Sequence, residues 1–283
     1  MKHDLSVTLI LILLFLASHF IGLFIIKNYL PSEKNLPLGI EKPQFEERTA
    51  YIPIIISILF ATAIALILIR FAAFKIWKAW YFLSVFVTIT IAFAAFIPEI
   101  AALILALGLT IFRTFKPNVI IHNFTEVFIY GGLAAIFVPV LSIWSIFVLL
   151  VLISIYDMVA VWKTQHMVSM AKFQVKSKMF AGLLVPSSAK NLIMNSKKET
   201  KHVARSKHNK NAILGGGDIA FPLLFSGVML KNFGFYAALI TSFTAALALL
   251  ILFFMAEKKK FYPAMPFISA GSLVGYILIY LAL

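Results

Sequence analysis

The chain has 283 residues, 62% of them hydrophobic and 13% charged, against roughly half and a quarter in soluble domains, so a water-soluble fold is excluded and the solvent is lipid. A net charge of +14 would suggest nucleic acid in a soluble protein, but here the bases sit between apolar runs, where they set orientation and meet anionic headgroups. No cysteine is present, which excludes disulfides, zinc-thiolate sites and thiol catalysis.

A helix crosses about 30 Å of hydrocarbon with roughly 20 apolar residues. That length predicts an all-α membrane protein with nine transmembrane helices, at 5–27, 50–70, 80–97, 99–115, 124–140, 142–163, 212–230, 234–256 and 262–283. The first follows Lys2 and has Ala17-Ser18 near a candidate cleavage point. Its apolar stretch runs on to Ile26, beyond the about 7–15 residues of a signal core, so it reads as a retained helix. The third and fourth spans meet at Pro98-Glu99. The fifth and sixth meet near Pro139 and Ser142 with no charge between them.

The sixth and seventh spans are separated by the longest polar interval, which divides the chain into three parts. Residues 1–163 form a six-helix part, 164–211 a basic cytoplasmic loop and 212–283 a three-helix part. The Lys-rich stretch from Asn195 to Asn211 reads as a solvated linker, and His202 and His208 as loop residues, since no acids or thiols accompany them. His166 to Phe173 continues the sixth span amphipathically. Ala181 to Val185 belongs to an apolar run ended by Pro186, too short to span; it suits an extended strand or an interfacial segment.

With the N-terminus cytoplasmic, the inner segments hold Lys2, Arg70, Lys75, Lys78, Arg113, Lys116, the bases from Lys163 to Lys210, and Lys258 to Lys260. Of the 25 bases, the outer side keeps Lys27, Lys34, Lys42, Arg48 and Lys231. This bias predicts a cytoplasmic N-terminus and an outer C-terminus.

Nine of the eleven acids fall in loops or at span ends on this reading, Glu126 among them. Asp157 and Asp218 alone sit well inside apolar runs, at a cost of about 2.5–3.5 kcal/mol each even on lenient insertion scales. No Lys or Arg deep in another span neutralises them. Asp157 lies in an ordinary helical run, Ile153 to Trp162. Asp218 follows Gly215-Gly216-Gly217, and Phe221-Pro222 comes a turn later. Glycines there permit close backbone approach, and a loosened helix admits water or a peptide to the acid. Each acid stands about six residues from the cytoplasmic interface, hence about 9 Å deep at about 1.5 Å per residue. Equal depth permits a pair. Two carboxyls sharing a site hold one proton between them; one then activates water while the other polarises or protonates a carbonyl. Tyr156 either orients groups in such a site or packs its helix.

Tyr156-Asp157, then Gly215-x-Gly217-Asp218 (a GxGD motif), then Pro263-Ala264-Met265 at the start of the last span, resemble the presenilin family of intramembrane aspartyl proteases, most closely its archaeal-type homologues. The stretch after Asp157 through Met167 is similar as well, and the likeness covers essentially the whole chain. It implies that Asp157 and Asp218 are the catalytic pair, and that Pro263, Ala264 and Met265 border the site, with Pro266 keeping the helix start irregular. It implies transmembrane protein substrates in the bilayer of the cell membrane, no cofactor and no accessory subunit; a homo-oligomer stays open. The family usually carries Pro-Ala-Leu where this chain has Met265, a mild change of pocket shape. Signal-peptide-peptidase relatives share the aspartate motifs but lie inverted, and the distribution of bases favours the presenilin orientation. Substrate helices must unwind to be cut, and Ala181 to Val185 is a candidate edge for pairing with the unwound piece.

Three other readings compete. In one, both acids are merely hydrogen-bonded core residues, but Gly215, Gly216 and Gly217 offer no side chains to satisfy Asp218. Prepilin peptidases also use a glycine-aspartate motif, but nine spans and the Pro263 motif fit them poorly. Paired intramembrane acids also serve proton- or cation-coupled transporters, yet no inverted repeat is visible here.

Overall fold

The computed structural model describes residues 5–31, 35–164, 167, 170, 173, 174, 177, 179–186, 212–256 and 262–282. The expected basic linker from Asn195 to Asn211, His166, His202, His208 and the lysines at 258–260 lie outside the described residues. Among those described are nine α-helices: α1 (Leu5–Tyr29), α2 (Tyr51–Arg70), α3 (Phe74–Ala94), α4 (Glu99–Phe115), α5 (Val119–Phe137), α6 (Ile143–Met158), α7 (Gly217–Phe233), α8 (Phe235–Met255) and α9 (Met265–Ala282). Seven of these segments are long and apolar enough to cross a membrane. The other two, α4 and α7, have 17 residues each, the short end of what a bilayer accepts.

The nine spans read from hydropathy are all present, with three starts moved by five residues or more. Helix α3 begins at Phe74 rather than 80 and α5 at Val119 rather than 124. The added turns carry Lys75, Lys78, His122 and Asn123, polar residues that hydropathy assigns to loops. Asn118 caps α5 by accepting from the Ile120 N–H at 2.8 Å, which satisfies one of the four orphan donors of that terminus. The seventh span differs most. Ala212–Gly215 is a strand, β2, and the helix starts only at Gly217. Three successive glycines favour no helix, and β2 has a partner that extended backbone can use. That partner is β1 (Gly182–Val185), antiparallel, with Gly182 opposite Gly215 and Val185 opposite Ala212.

Helix α7 is the hub. It packs against α1, α5, α6, α8 and α9, and most of its residues are buried. Such all-round burial explains how a helix interrupted by Pro222 holds its place. Around it, α8 and α9 approach closely: a Cβ at Gly271 would lie 2.6 Å from the Thr244 carbonyl oxygen. Small residues at such crossings, and hydroxyls bonded across them, replace the hydrophobic drive that lipid removes. Ser226 on α7 bonds Thr241 at 3.1 Å and Ser242 at 3.0 Å on α8. At the periphery α2 buries only Ile54, Ala65 and Leu68 and exposes Ile56 and Phe60, an apolar face suited to lipid.

At one end of the bundle, Lys231 closes the turn after α7. Its ammonium meets Glu47 at 2.9 Å and the Pro139 carbonyl at 2.8 Å. At the other end β1 leans on α5, where Asn123 donates to the Leu184 carbonyl at 2.7 Å and accepts from the Leu184 N–H at 3.0 Å. His122 reaches the Gly182 carbonyl oxygen at 2.7 Å. The edge of β1 that faces away from β2 is therefore occupied.

Candidate active site

Asp157 ends the regular part of α6 and is 4% exposed. Beyond it the helix widens. The Val159 N–H is shared between the Ile155 and Tyr156 carbonyls, and Thr164 bonds back five residues to Val159 at 3.0 Å. Wide turns of this kind re-aim side chains. The Asp157 carboxyl accepts the Met265 N–H at 3.0 Å and a further backbone bond from Ala264. The first and last of the three motifs thus meet in space, although more than 100 residues separate them. Pro266, in the first turn of α9, needs no partner for a missing N–H.

Asp218 sits in the first turn of α7, directly after the glycines that follow β2, and is 8% exposed. Its carboxyl takes a backbone bond from Gly215. A Cβ at Gly215 would come within 3.2 Å of the Asp218 Oδ2, and one at Gly216 within 2.8 Å of the Tyr130 hydroxyl. At these positions glycine is a matter of space: the chain turns from strand to helix against two polar groups.

Asp157 and Asp218 line one cavity of about 500 Å³ and interact electrostatically across it. Tyr156, Gly215, Gly216, Gly217 and Met265 line it too, whereas Pro263, Ala264 and Pro266 do not. Those three flank the start of α9, where the Ala264 and Met265 backbone groups bond Asp157. Tyr156 hydrogen-bonds Thr62 of α2 at 3.2 Å. The remaining wall is largely apolar, with Ile58, Val85, Ile129, Leu133 and Ile153. Among the described residues no cluster of three His, Asp or Glu suits a metal ion.

The sequence reading missed a second polar group on this cavity. Glu126 is not at a span end but two turns inside α5, 1% exposed, and Arg113 of α4 is 4% exposed. They form an ion pair. Arg113 also bonds Thr125, and the Tyr81 hydroxyl at 2.7 Å, while Tyr130 donates to the other Glu126 oxygen. The error came from the start assigned to α5: moved from 124 to 119, it carries Glu126 inward. One sequence signal was available, since Glu126 and Tyr130 stand four apart and so share a helix face.

A lipid-embedded helical bundle whose two buried carboxyls share a cavity defines a class: polytopic membrane proteins that do acid chemistry inside the bilayer. A family model described as signal-peptide peptidase, presenilin aspartyl protease matches residues 8–283, and the chain belongs to that family. It is a multi-pass intramembrane aspartyl protease, an aspartic endopeptidase acting on transmembrane substrates within the bilayer. Two solved structures have the same fold, each described as a presenilin family intramembrane aspartate protease. The first, in space group C222, is 18% identical with a TM-score of 0.65, over 98% of this chain and 99% of that one. The second, in space group P2, is also 18% identical with a TM-score of 0.64, over 96% and 97%. No curated protein sequence matches.

Proposed function

We propose that Asp157 and Asp218 are the catalytic pair of this protease. The observation that carries the reading is the cavity that these two acids line together, where the Met265 N–H anchors one of them. Arg113, the basic residue on that wall, is already paired with Glu126. In the working state the pair holds one proton. The ionised carboxyl removes a proton from water as its oxygen attacks the scissile carbonyl carbon. The protonated carboxyl donates to the carbonyl oxygen. Collapse of the tetrahedral adduct breaks the C–N bond: the proton taken from water passes to the departing nitrogen, and one hydroxyl returns its proton to the other carboxylate as C=O re-forms, which restores the singly protonated pair. The pair titrates as a unit, so cleavage rises and then falls with pH as its singly protonated form is filled and emptied.

The substrate backbone is proposed to lie along β2. Both backbone groups of Leu184 point to Asn123, so the facing pair Leu184 and Ile213 is one of the non-hydrogen-bonded pairs of the ladder. In an antiparallel ladder Ile213 then turns its N–H and C=O away from β1. Gly215, two residues on, turns the same way and bonds Asp218. An extended peptide paired with Ile213 would thus run toward the acid. The edge of β1 itself, the expected docking edge, is filled by Asn123 and His122. The proposed setting is the cell membrane with the N-terminus cytoplasmic, as the distribution of bases favours. The three-part division at 163 and 211 is kept as part of the same reading, and both acids come from one chain, which favours activity without a second subunit. No observation favours transport.

The purified protein with a single-span substrate tests the pair. Asp157→Ala and Asp218→Ala should each reduce cleavage to background, and measurable turnover by either variant overturns the assignment.

A further inference from the structure

The α4–α5 ion pair reaches the reacting end of α7 by two routes that converge on one residue. Along the first, the Tyr81 hydroxyl, bonded to Arg113, donates to the Phe180 carbonyl at 3.1 Å, and Arg113 reaches the same oxygen at 3.4 Å. The next carbonyl along the chain, that of Ala181, accepts the Gly216 N–H at 3.2 Å. Along the second, Glu126 holds the Tyr130 hydroxyl, and that hydroxyl stands 2.8 Å from where a Cβ of Gly216 would be. Gly216 is therefore held through its N–H on one side and walled by a phenol on the other. It lies two residues before Asp218 and beside Gly215, whose backbone bonds the Asp218 carboxyl. Tyr130, Glu126 and Arg113 are all buried, so the wall is stiff: the hydroxyl cannot swing aside without leaving a buried carboxylate short of a donor.

The geometry points to Tyr130 as a positioning residue, which, braced by Glu126 and Arg113, sets the backbone at Gly216 and thereby the direction of the Asp218 carboxyl. The inference rests on Asp218 being catalytic. Its role is orientation: the brace fixes the turn between β2 and α7 so that the carboxyl faces Asp157 before a substrate arrives, and it takes no part in proton transfer.

Tyr130→Phe removes one oxygen and leaves the ring. With a single-span substrate in detergent, kcat should fall on the order of tenfold, since small misplacements of a reacting group cost that much or more. KM should stay unchanged, and the pH–rate profile should move as the two carboxyls relax apart. Gly216→Ala should be more severe, because its methyl meets the hydroxyl. Combining Gly216→Ala with Tyr130→Phe should recover activity relative to Gly216→Ala alone. A merely structural phenol predicts a lower melting temperature with kcat, KM and pH profile unchanged per folded molecule, and no recovery in the double variant; that result overturns the inference. The control is Asp218→Ala in the same assay. If it is silent while Tyr130→Phe behaves as wild type, positioning fails and the catalytic pair stands. If Asp218→Ala still cuts, the catalytic reading fails, and the inference falls with it.

Discussion

At the residue scale, what separates the four buried charged side chains among the described residues is how each is compensated. Asp157 and Asp218 receive backbone N–H groups and one another, whereas Arg113 and Glu126 receive each other. Removing one member of a buried ion pair strands its partner, at about 3–5 kcal/mol. Glu126→Ala should therefore lower the unfolding temperature in detergent far more than Asp157→Ala; equal melting curves for the two variants would show that Arg113 finds other support. The same contrast explains what could be read in advance. Asp157 and Asp218 stood out because each lies well over a turn inside its apolar run, with a long apolar stretch on the side away from the loop. Glu126 and Arg113 did not, because each lies near the end of its apolar run, and only the extra turn and a half of α5 carries Glu126 inward.

At the element scale, hydropathy finds helices because lipid forces every backbone group to bond within its own segment. It misses what is exempt from that rule. Ala212–Gly215 reads as the start of a span, yet it is extended, since β1 takes the inward backbone groups and Asp218 that of Gly215, leaving those of Ile213 turned outward. Conversely, length and a proline stop leave Ala181 to Val185 either a strand or an interfacial segment; the structure makes Gly182–Val185 a strand, whose partner no local signal reveals because register between distant segments leaves no local trace. The β2 reading gives a test at this scale. Proline removes the outward N–H of Ile213 and is tolerated on an edge whose donor faces away from the ladder. Ile213→Pro should weaken substrate use by roughly fivefold, the worth of one backbone hydrogen bond of about 1 kcal/mol. Ile213→Ala, which keeps the N–H, should stay near wild type. Equal kinetics for the two variants would rule out backbone pairing at this edge.

At the scale of the whole molecule, the halves on either side of residues 187–211 each bring one carboxyl, and α7 at the centre of the bundle joins them. The proposed orientation can be read out directly because the chain has no cysteine, so a single introduced thiol reports one location. Arg48 and Thr164 are both exposed and lie at opposite ends of the bundle. On intact cells a membrane-impermeant maleimide should label Arg48→Cys and spare Thr164→Cys; the reverse pattern would invert the topology.

The outward-turned amide and carbonyl of Ile213 bear on which proteins such an enzyme can digest. Every amino acid offers the same two groups to a neighbouring strand, so a scissor that grips there is nearly blind to sequence. Selection passes instead to the victim's own willingness to uncoil: membrane segments rich in glycine or β-branched residues yield first, and those built from leucine and alanine persist.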